Sequence, residues 1–119
     1  MSQATLIWLQ SSPYNSSAAR EALDYTLALA AVDSPVQLLL SGPAVCLLQA
    51  PADIGALQLK DCSKLLGLFE LYELPAPLVC QHSLALYLPE PRQLSYPCTL
   101  LSKVQMTEQL AFFRQIITF

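Results

Sequence analysis

Short apolar runs that alternate with helix-forming stretches constrain this fold more than any other feature. Ala4 to Leu9, Val36 to Leu40 and Leu78 to Cys80 or Gln81 are continuous runs of strand length. Cys98 to Leu101 and Ile116 to Phe119 are two further runs of this kind. Strands that are apolar on both faces are typical of a parallel sheet buried on both sides. The alternation therefore predicts an α/β domain with helices on both faces of the sheet.

The segments between the runs carry helix signals. Ser16 or Ser17 is predicted to cap a helix that continues to about Ala31, in which Arg20 and Asp24 lie one turn apart and can pair weakly. Two short helical segments are predicted at Ala44 to Leu48 and Ser83 to Tyr87. A last helix is predicted to start at the capping box Ser102 to Gln105, with Leu101 and Met106 as its hydrophobic staple. One face of this helix carries Met106, Leu110 and Phe113.

Gly67 decides how the third helix ends. We expect this helix to cover about Leu57 to Leu66, with Gly67 as its C-terminal stop and Leu68 folding back in a capping motif. One longer helix to Tyr72 is the alternative. The capped form is preferred, because a glycine in a helix interior costs about 1 kcal/mol.

The composition predicts a protein that shares part of its surface with another subunit. The chain has 119 residues, which suits one domain over residues 1–119. Apolar residues make up 54% and charged residues only 13%, which is about half the usual charged fraction. Little solvated surface is left once a core is filled, so contact with a partner is the simplest explanation.

Charge and hydropathy exclude several other classes. The net charge is −3 and the six basic residues are scattered, so we expect no direct binding of nucleic acid. No apolar run approaches the roughly 18 residues of a membrane span, and Met1 to Thr5 carries no basic leader. We therefore expect a soluble cytoplasmic protein. The four cysteines include no C-x-x-C pair and there is one histidine, so neither disulfides nor a metal site is predicted.

Cys80 is the candidate reactive residue. It ends an apolar strand and precedes a helix, and open parallel sheets place reacting groups at this position. The positive end of the helix favours a thiolate there. His82, two residues on, is a candidate to stabilise the thiolate or to carry a proton. The alternative for Cys80 is a buried core cysteine, and the alternative for His82 is a partly exposed polar residue on a loop.

Other candidates carry weaker signals. Cys46, Cys62 and Cys98 are interpreted as core or structural residues. A catalytic triad would need a carboxylate that orients His82, and the sequence identifies none. The serine-rich loop from Gln10 to Ser17 lies where flavodoxin-like proteins bind phosphate, but it contains no glycine. A flavin or nucleotide binder is kept as an alternative function, although no cofactor is predicted.

Four segments resemble one family in their order and spacing. Ser16 to Asp24 is similar to an A-x-R-E-x-L-D helix start, and Lys64 to Phe69 is similar to K-L-L-G-L-Y. Val79 to Leu84 resembles V-C-x-x-S-L, and Ile116 to Phe119 resembles a terminal I-L-x-F. The chain thus resembles the DsrE/DsrF-like sulfur-relay family, in particular its TusC/DsrF branch, over nearly its whole length.

The resemblance implies a flavodoxin-like three-layer α/β/α fold with a five-stranded parallel sheet. It also implies assembly with paralogous TusB- and TusD-like, or DsrH- and DsrE-like, subunits that pass persulfide sulfur between donor and acceptor proteins. Such complexes serve 2-thiolation of the tRNA wobble uridine or sulfur oxidation. Cys80 falls at the position of the sulfur-carrying cysteine of DsrE and TusD subunits. A non-catalytic structural subunit and a homo-oligomer in isolation are both left open.

Overall fold

The computed structural model describes residues 2–12, 17–48, 65–88 and 97–119. Its strands are β1 (Ser2–Leu9), β2 (Val36–Leu40), β3 (Leu78–Cys80), β4 (Thr99–Leu101) and β5 (Phe113–Thr118). Its helices are α1 (Ala18–Ala31), a 3-10 helix (Gly42–Leu48), α2 (described over 65–71), α3 (Gln81–Tyr87) and α4 (Lys103–Phe112).

The five strands form one parallel sheet in the order β4-β3-β2-β1-β5. The predicted five-stranded parallel α/β fold is confirmed. This strand order differs from that of flavodoxin, which is 2-1-3-4-5. Here β2, β3 and β4 are added one after another on one side of β1, and β5 pairs with the other side of β1. Because parallel crossovers are right-handed, the first three connections lie on one face and α4 lies on the other.

Two apolar clusters follow from this topology. The larger cluster fills the face covered by α1, the 3-10 helix and α2, and it includes Ile7, Leu38 and Val79. The smaller cluster lies under α4 and consists of Leu6, Leu39, Leu78 and Leu101, with Trp8, Met106, Leu110 and Phe113 packed against it. Residues of opposite parity in each strand thus face different helices, as the pleat of a strand requires.

The predicted helix starts are largely confirmed. Ser102 and Gln105 form the capping box, with the Ser102 hydroxyl accepting from the Gln105 N–H at 3.2 Å and the Gln105 side chain accepting from the Ser102 N–H at 2.8 Å. Ser17 is the N-cap residue of α1, but its hydroxyl donates to the carboxylate of Glu21 instead of capping the backbone. Arg20 and Asp24 pair at 3.9 Å on the exposed face of α1.

The predicted stop at Gly67 is wrong, and the longer helix is correct. The helix continues through Gly67 to residue 71, and Glu73 takes the left-handed conformation with φ +59°. Leu74 N–H bonds to the Phe69 carbonyl at 2.9 Å and Glu73 N–H to the Glu70 carbonyl at 3.0 Å, which is a Schellman cap. Burial of Leu66 and Phe69 on either side of Gly67 outweighs the cost of the glycine. The predicted start of this helix and Cys62 lie outside the described residues.

Three other boundaries differ from expectation. β5 begins at Phe113 rather than Ile116, so α4 passes into the strand without a loop and Phe113 belongs to β5. α3 begins at Gln81 rather than Ser83, directly after Cys80. The 3-10 helix begins at Gly42 rather than Ala44. In the first two cases one element follows the other with no residue between them, and no Gly-Pro or polar loop marks the transition.

Two alanine substitutions at glycines are expected to act in opposite directions. Gly42 has φ +59°, and a Cβ there would make only an ordinary 3.5 Å contact with the Gln10 carbonyl. Gly42→Ala therefore pays mainly for the left-handed backbone, and we expect a loss of about 1–2 kcal/mol. Gly67 lies in a helix with nothing within 4 Å of the added carbon. Gly67→Ala is expected to stabilise the protein by up to about 1 kcal/mol.

Urea unfolding of the purified variants measures both changes. If Gly67→Ala destabilises the protein, residue 67 is not in a helix interior, and α2 does not continue through Gly67.

Candidate functional site

The carboxyl edge of the sheet brings together the ends of β1, β2 and β3. β2 ends at Leu40, beside Val79 of β3, and β1 ends at Leu9, beside Leu40. Ser41 continues the pairing, since its N–H donates to the Leu9 carbonyl at 3.1 Å. The residues that follow these strands therefore lie side by side at one edge, which is the position where open parallel sheets bind ligands.

Cys80 is the last residue of β3 and the N-cap of α3. Its backbone is extended (φ −67°, ψ 114°), and its Sγ accepts a hydrogen bond from the Ser83 N–H at 3.5 Å. The thiol thus replaces the hydroxyl or carboxylate that usually caps a helix. The side chain is only 7% exposed. The structure therefore confirms that the cysteine lies at a junction of strand and helix, with an N–H directed at its sulfur.

Ser83 links Cys80 to the end of β2, and the sequence analysis missed it. Ser83 is 8% exposed, and its hydroxyl oxygen accepts from the Gly42 N–H at 2.8 Å. This places the left-handed turn at Gly42 against the first turn of α3. The spacing of Ser83, three residues after the cysteine, was a usable signal, because it is the spacing at which a backbone N–H reaches an N-cap side chain.

Trp8 and Ser41 form a second polar contact at the same edge. The indole Nε1–H of Trp8 donates to the Ser41 hydroxyl oxygen at 2.8 Å. Both residues are half-buried, and Trp8 packs against the smaller cluster under α4. Neither Trp8 nor Ser41 was predicted to have a role, because a tryptophan in an apolar strand and a serine before a glycine both have ordinary structural explanations.

His82 lies in the first turn of α3 and therefore not on a loop. Its side chain is exposed. Within the described ranges no hydrogen bond or ion pair of His82 occurs, and none joins it to the Cys80 thiol. Its predicted role beside the thiolate stays a prediction. The loop after β1 extends beyond the described residues at positions 13–16.

Cys46 and Cys98 are half-buried thiols. Burial raises the pKa of the Cys46 thiol, and burial likewise raises the pKa of the Cys98 thiol. Both groups therefore hold their protons to higher pH than a free cysteine, and the protonated form is a poor nucleophile. In the described part of the chain, no three His, Cys, Asp or Glu residues are grouped where they could hold a metal ion.

A parallel sheet with a cysteine at its carboxyl edge, capping the next helix, defines a class of α/β protein in which a thiol is the candidate reactive group. The model of the DsrE/DsrF-like family matches residues 3–119, and the chain belongs to that family.

Individual relatives support the same assignment. A protein named "Protein TusC homolog" from Vibrio parahaemolyticus is 34% identical over 85 residues, which is 71% of each chain. A protein of the same name from Vibrio vulnificus is 32% identical over 84 residues, covering 71% of this chain and 70% of the relative. The crystal structure of the ychN protein from E. coli superposes with a TM-score of 0.79 over 99% of this chain and 100% of its own, at 17% identity, so it supports the fold.

We expect Cys46 and Cys98 to react slowly at neutral pH. Because burial raises the pKa of each thiol, less thiolate is present at pH 7 than in an unstructured cysteine, and the reactive form appears only at higher pH. Iodoacetamide labelling between pH 6 and about 10, followed by tryptic mapping, measures this. The two cysteines lie on different tryptic peptides, residues 21–60 and 93–103, so each rate is read separately.

The unfolded chain in denaturant is the control for these two rates. Labelling of either cysteine at pH 7 as fast in the folded protein as in the unfolded chain would contradict the assignment.

Proposed function

We propose that this chain is a subunit of a sulfur-relay complex of the TusC/DsrF type, in which Cys80 carries sulfur as a persulfide. The observation that supports this most directly is the position of Cys80, whose sulfur faces the Ser83 N–H at the junction of β3 and α3. A backbone N–H at a helix start favours negative charge on sulfur, which is the form that attacks a persulfide. The relay would serve 2-thiolation of the tRNA wobble uridine or intracellular sulfur oxidation.

The transfer is a thiol exchange that needs no external oxidant. The Cys80 thiolate attacks the outer sulfur of a donor persulfide, a new S–S bond forms at Cys80, and the donor's S–S bond breaks. The donor cysteine leaves as a thiolate. The proton of the transferred S–H group stays on the transferred sulfur or passes to solvent. The reverse exchange passes the outer sulfur to the thiolate of an acceptor protein. No metal or organic cofactor takes part.

His82 has a secondary place in this proposal. It is exposed in the first turn of α3, two residues after Cys80, so a partner protein has access to it. Imidazole exchanges protons near neutral pH. We propose that His82 accepts or returns the proton when sulfur passes between Cys80 and a partner thiol.

Paralogous subunits of the TusB and TusD, or DsrH and DsrE, type are the proposed partners. Large apolar side chains remain exposed on several elements, including Leu71 at 76%, Val32 at 73% and Val104 at 68%. Exposed side chains of this kind are expected where another subunit packs.

No helix in the described ranges is long and apolar enough to cross a membrane.

A non-catalytic structural subunit is the alternative, and two observations favour it. Cys80 is 7% exposed, so its sulfur is largely covered in the isolated chain. The same sulfur caps α3, which gives the cysteine a structural reason to be present. In that case the chain supports the complex, and the sulfur-carrying thiol lies in a partner.

Persulfide loading of the purified chain tests the carrier proposal. After incubation with a persulfide donor, we expect a reducible mass gain of about 32 Da, one sulfur atom, on the wild-type protein. Cys80→Ser is expected to abolish the gain. It is a suitable variant, because serine is a strong N-cap and keeps the start of α3 while removing the thiolate.

Cys98→Ser is the matched control and should load like wild type, since burial raises the pKa of the half-buried Cys98 thiol and so disfavours its thiolate. Tryptic mapping places the added sulfur, because the peptide of residues 65–92 carries Cys80 and no other cysteine. An equal gain in Cys80→Ser, or none in any protein, would contradict the carrier role and leave the structural subunit. Sulfur transfer by the reconstituted complex with Cys80→Ser then separates the two functions.

A further inference from the structure

Ser41 and Cys80 occupy neighbouring positions on one face of the sheet. Leu40 pairs with Val79, so the next residues along the two parallel strands, Ser41 and Cys80, lie in the same row. Leu39 and Leu78, which are two rows earlier and therefore on the same face, both belong to the smaller cluster under α4. Adjacent strands are about 4.8 Å apart, so Ser41 and Cys80 are neighbours across the ends of the two strands.

The Ser41 hydroxyl is held in place from the other side by Trp8. The indole N–H of Trp8 donates to the Ser41 oxygen at 2.8 Å. An indole N–H is only a donor, so this bond uses an acceptor site of the hydroxyl and leaves its proton available. The backbone N–H of Ser41 is bonded to the Leu9 carbonyl, which fixes the residue in the extended ladder. Ser41 is therefore fixed by Trp8 through its side chain and by Leu9 through its backbone.

The donor that the structure places at the Cys80 sulfur, the Ser83 N–H, carries no net charge. Residues 65–91, which include both sequence neighbours of Cys80, contain no lysine or arginine. The Ser83 N–H already faces the cysteine sulfur. A second donor from Ser41 would meet the additional negative charge of a thiolate or of a persulfide's outer sulfur, and a hydrogen bond to the charged form favours that form.

We propose that Trp8 and Ser41 are a positioning pair for sulfur on Cys80, in which Trp8 orients the Ser41 hydroxyl and Ser41 donates to the anionic thiolate or persulfide. This inference rests on the proposed function, since it assigns a donor to the sulfur that Cys80 would carry. Ser41 acts on the anion, and Trp8 acts through Ser41.

The pH profile of Cys80 alkylation tests the pair without requiring sulfur transfer. Labelling is followed on the tryptic peptide of residues 65–92. We expect Ser41→Ala to move the profile to higher pH by about half to one pH unit, because a donor to the anion is lost. Ser41→Thr keeps a hydroxyl and should restore the wild-type profile. Trp8→Phe should give a smaller shift in the same direction.

Thr107→Ala is the matched control for loss of a hydroxyl, since Thr107 is exposed on α4 and its hydroxyl donates to the Lys103 carbonyl. Urea unfolding of each variant shows that the compared proteins are folded. Trp8 is the only tryptophan, so its emission gives a second readout. Loading of sulfur on Cys80 should change this emission in wild type, and less so in Ser41→Ala.

The outcomes separate this proposal from the proposed function. A folded Ser41→Ala variant with the wild-type alkylation profile overturns the positioning pair, whether or not Cys80 loads sulfur. A shifted profile together with no persulfide loading supports the donor role of Ser41 and overturns the carrier role of Cys80. A profile that shifts equally in Ser41→Ala and Ser41→Thr overturns the pair, because the hydroxyl then has no specific effect.

Discussion

A parallel sheet must be covered on both faces, and this constraint organises the whole molecule. Its central strands β1, β2 and β3 carry apolar residues on both sides, and neither side can be left in water without a large loss of hydrophobic free energy. The strand order β4-β3-β2-β1-β5 makes three successive crossovers on one face and leaves only α4 for the other. The larger cluster is therefore covered by several elements, whereas the smaller cluster depends on one ten-residue helix.

The unequal cover explains where apolar surface remains. Within α4 no residue is fully buried, although this helix covers one face of the sheet, and the same holds for the edge strand β5. Val104, Phe112 and Ile116 of these two elements are among the exposed apolar residues. A chain with 13% charged residues has few polar side chains with which to shield such a face. Contact with another subunit would complete the layer that α4 only begins.

Much of the fold followed from residue pattern alone, because strand burial and helix capping are local properties. The bounds of β2 and β3 and the capping box at Ser102 are visible as apolar runs and as a hydroxyl followed three residues later by an amide. Gly67 was misplaced because its local helix cost was weighed without the packing of Leu66 and Phe69. The left-handed cap at Glu73 carries no glycine and so gave no signal.

The candidate site was predictable only in part, for a different physical reason. Cys80 was found because a strand end and a helix start are adjacent in sequence. Ser41 follows β2 and Ser83 lies on α3, and the hydrogen bonds that they accept from Trp8 and Gly42 depend on strand register, which is a property of the folded sheet. No spacing within one chain segment records that register.

The kind of donor at this edge bears on the direction of sulfur transfer under the proposed function. A relay cysteine must accept sulfur and also release it, and a thiolate that is stabilised too strongly becomes a weaker nucleophile. A cation beside Cys80 would hold the anion firmly, whereas a backbone N–H and a serine hydroxyl contribute less each and carry no net charge. With Ser83 and Ser41 as donors, the Cys80 thiolate would be stabilised as the leaving group when an acceptor thiolate attacks the outer sulfur, and it would keep the nucleophilicity needed to accept the next sulfur.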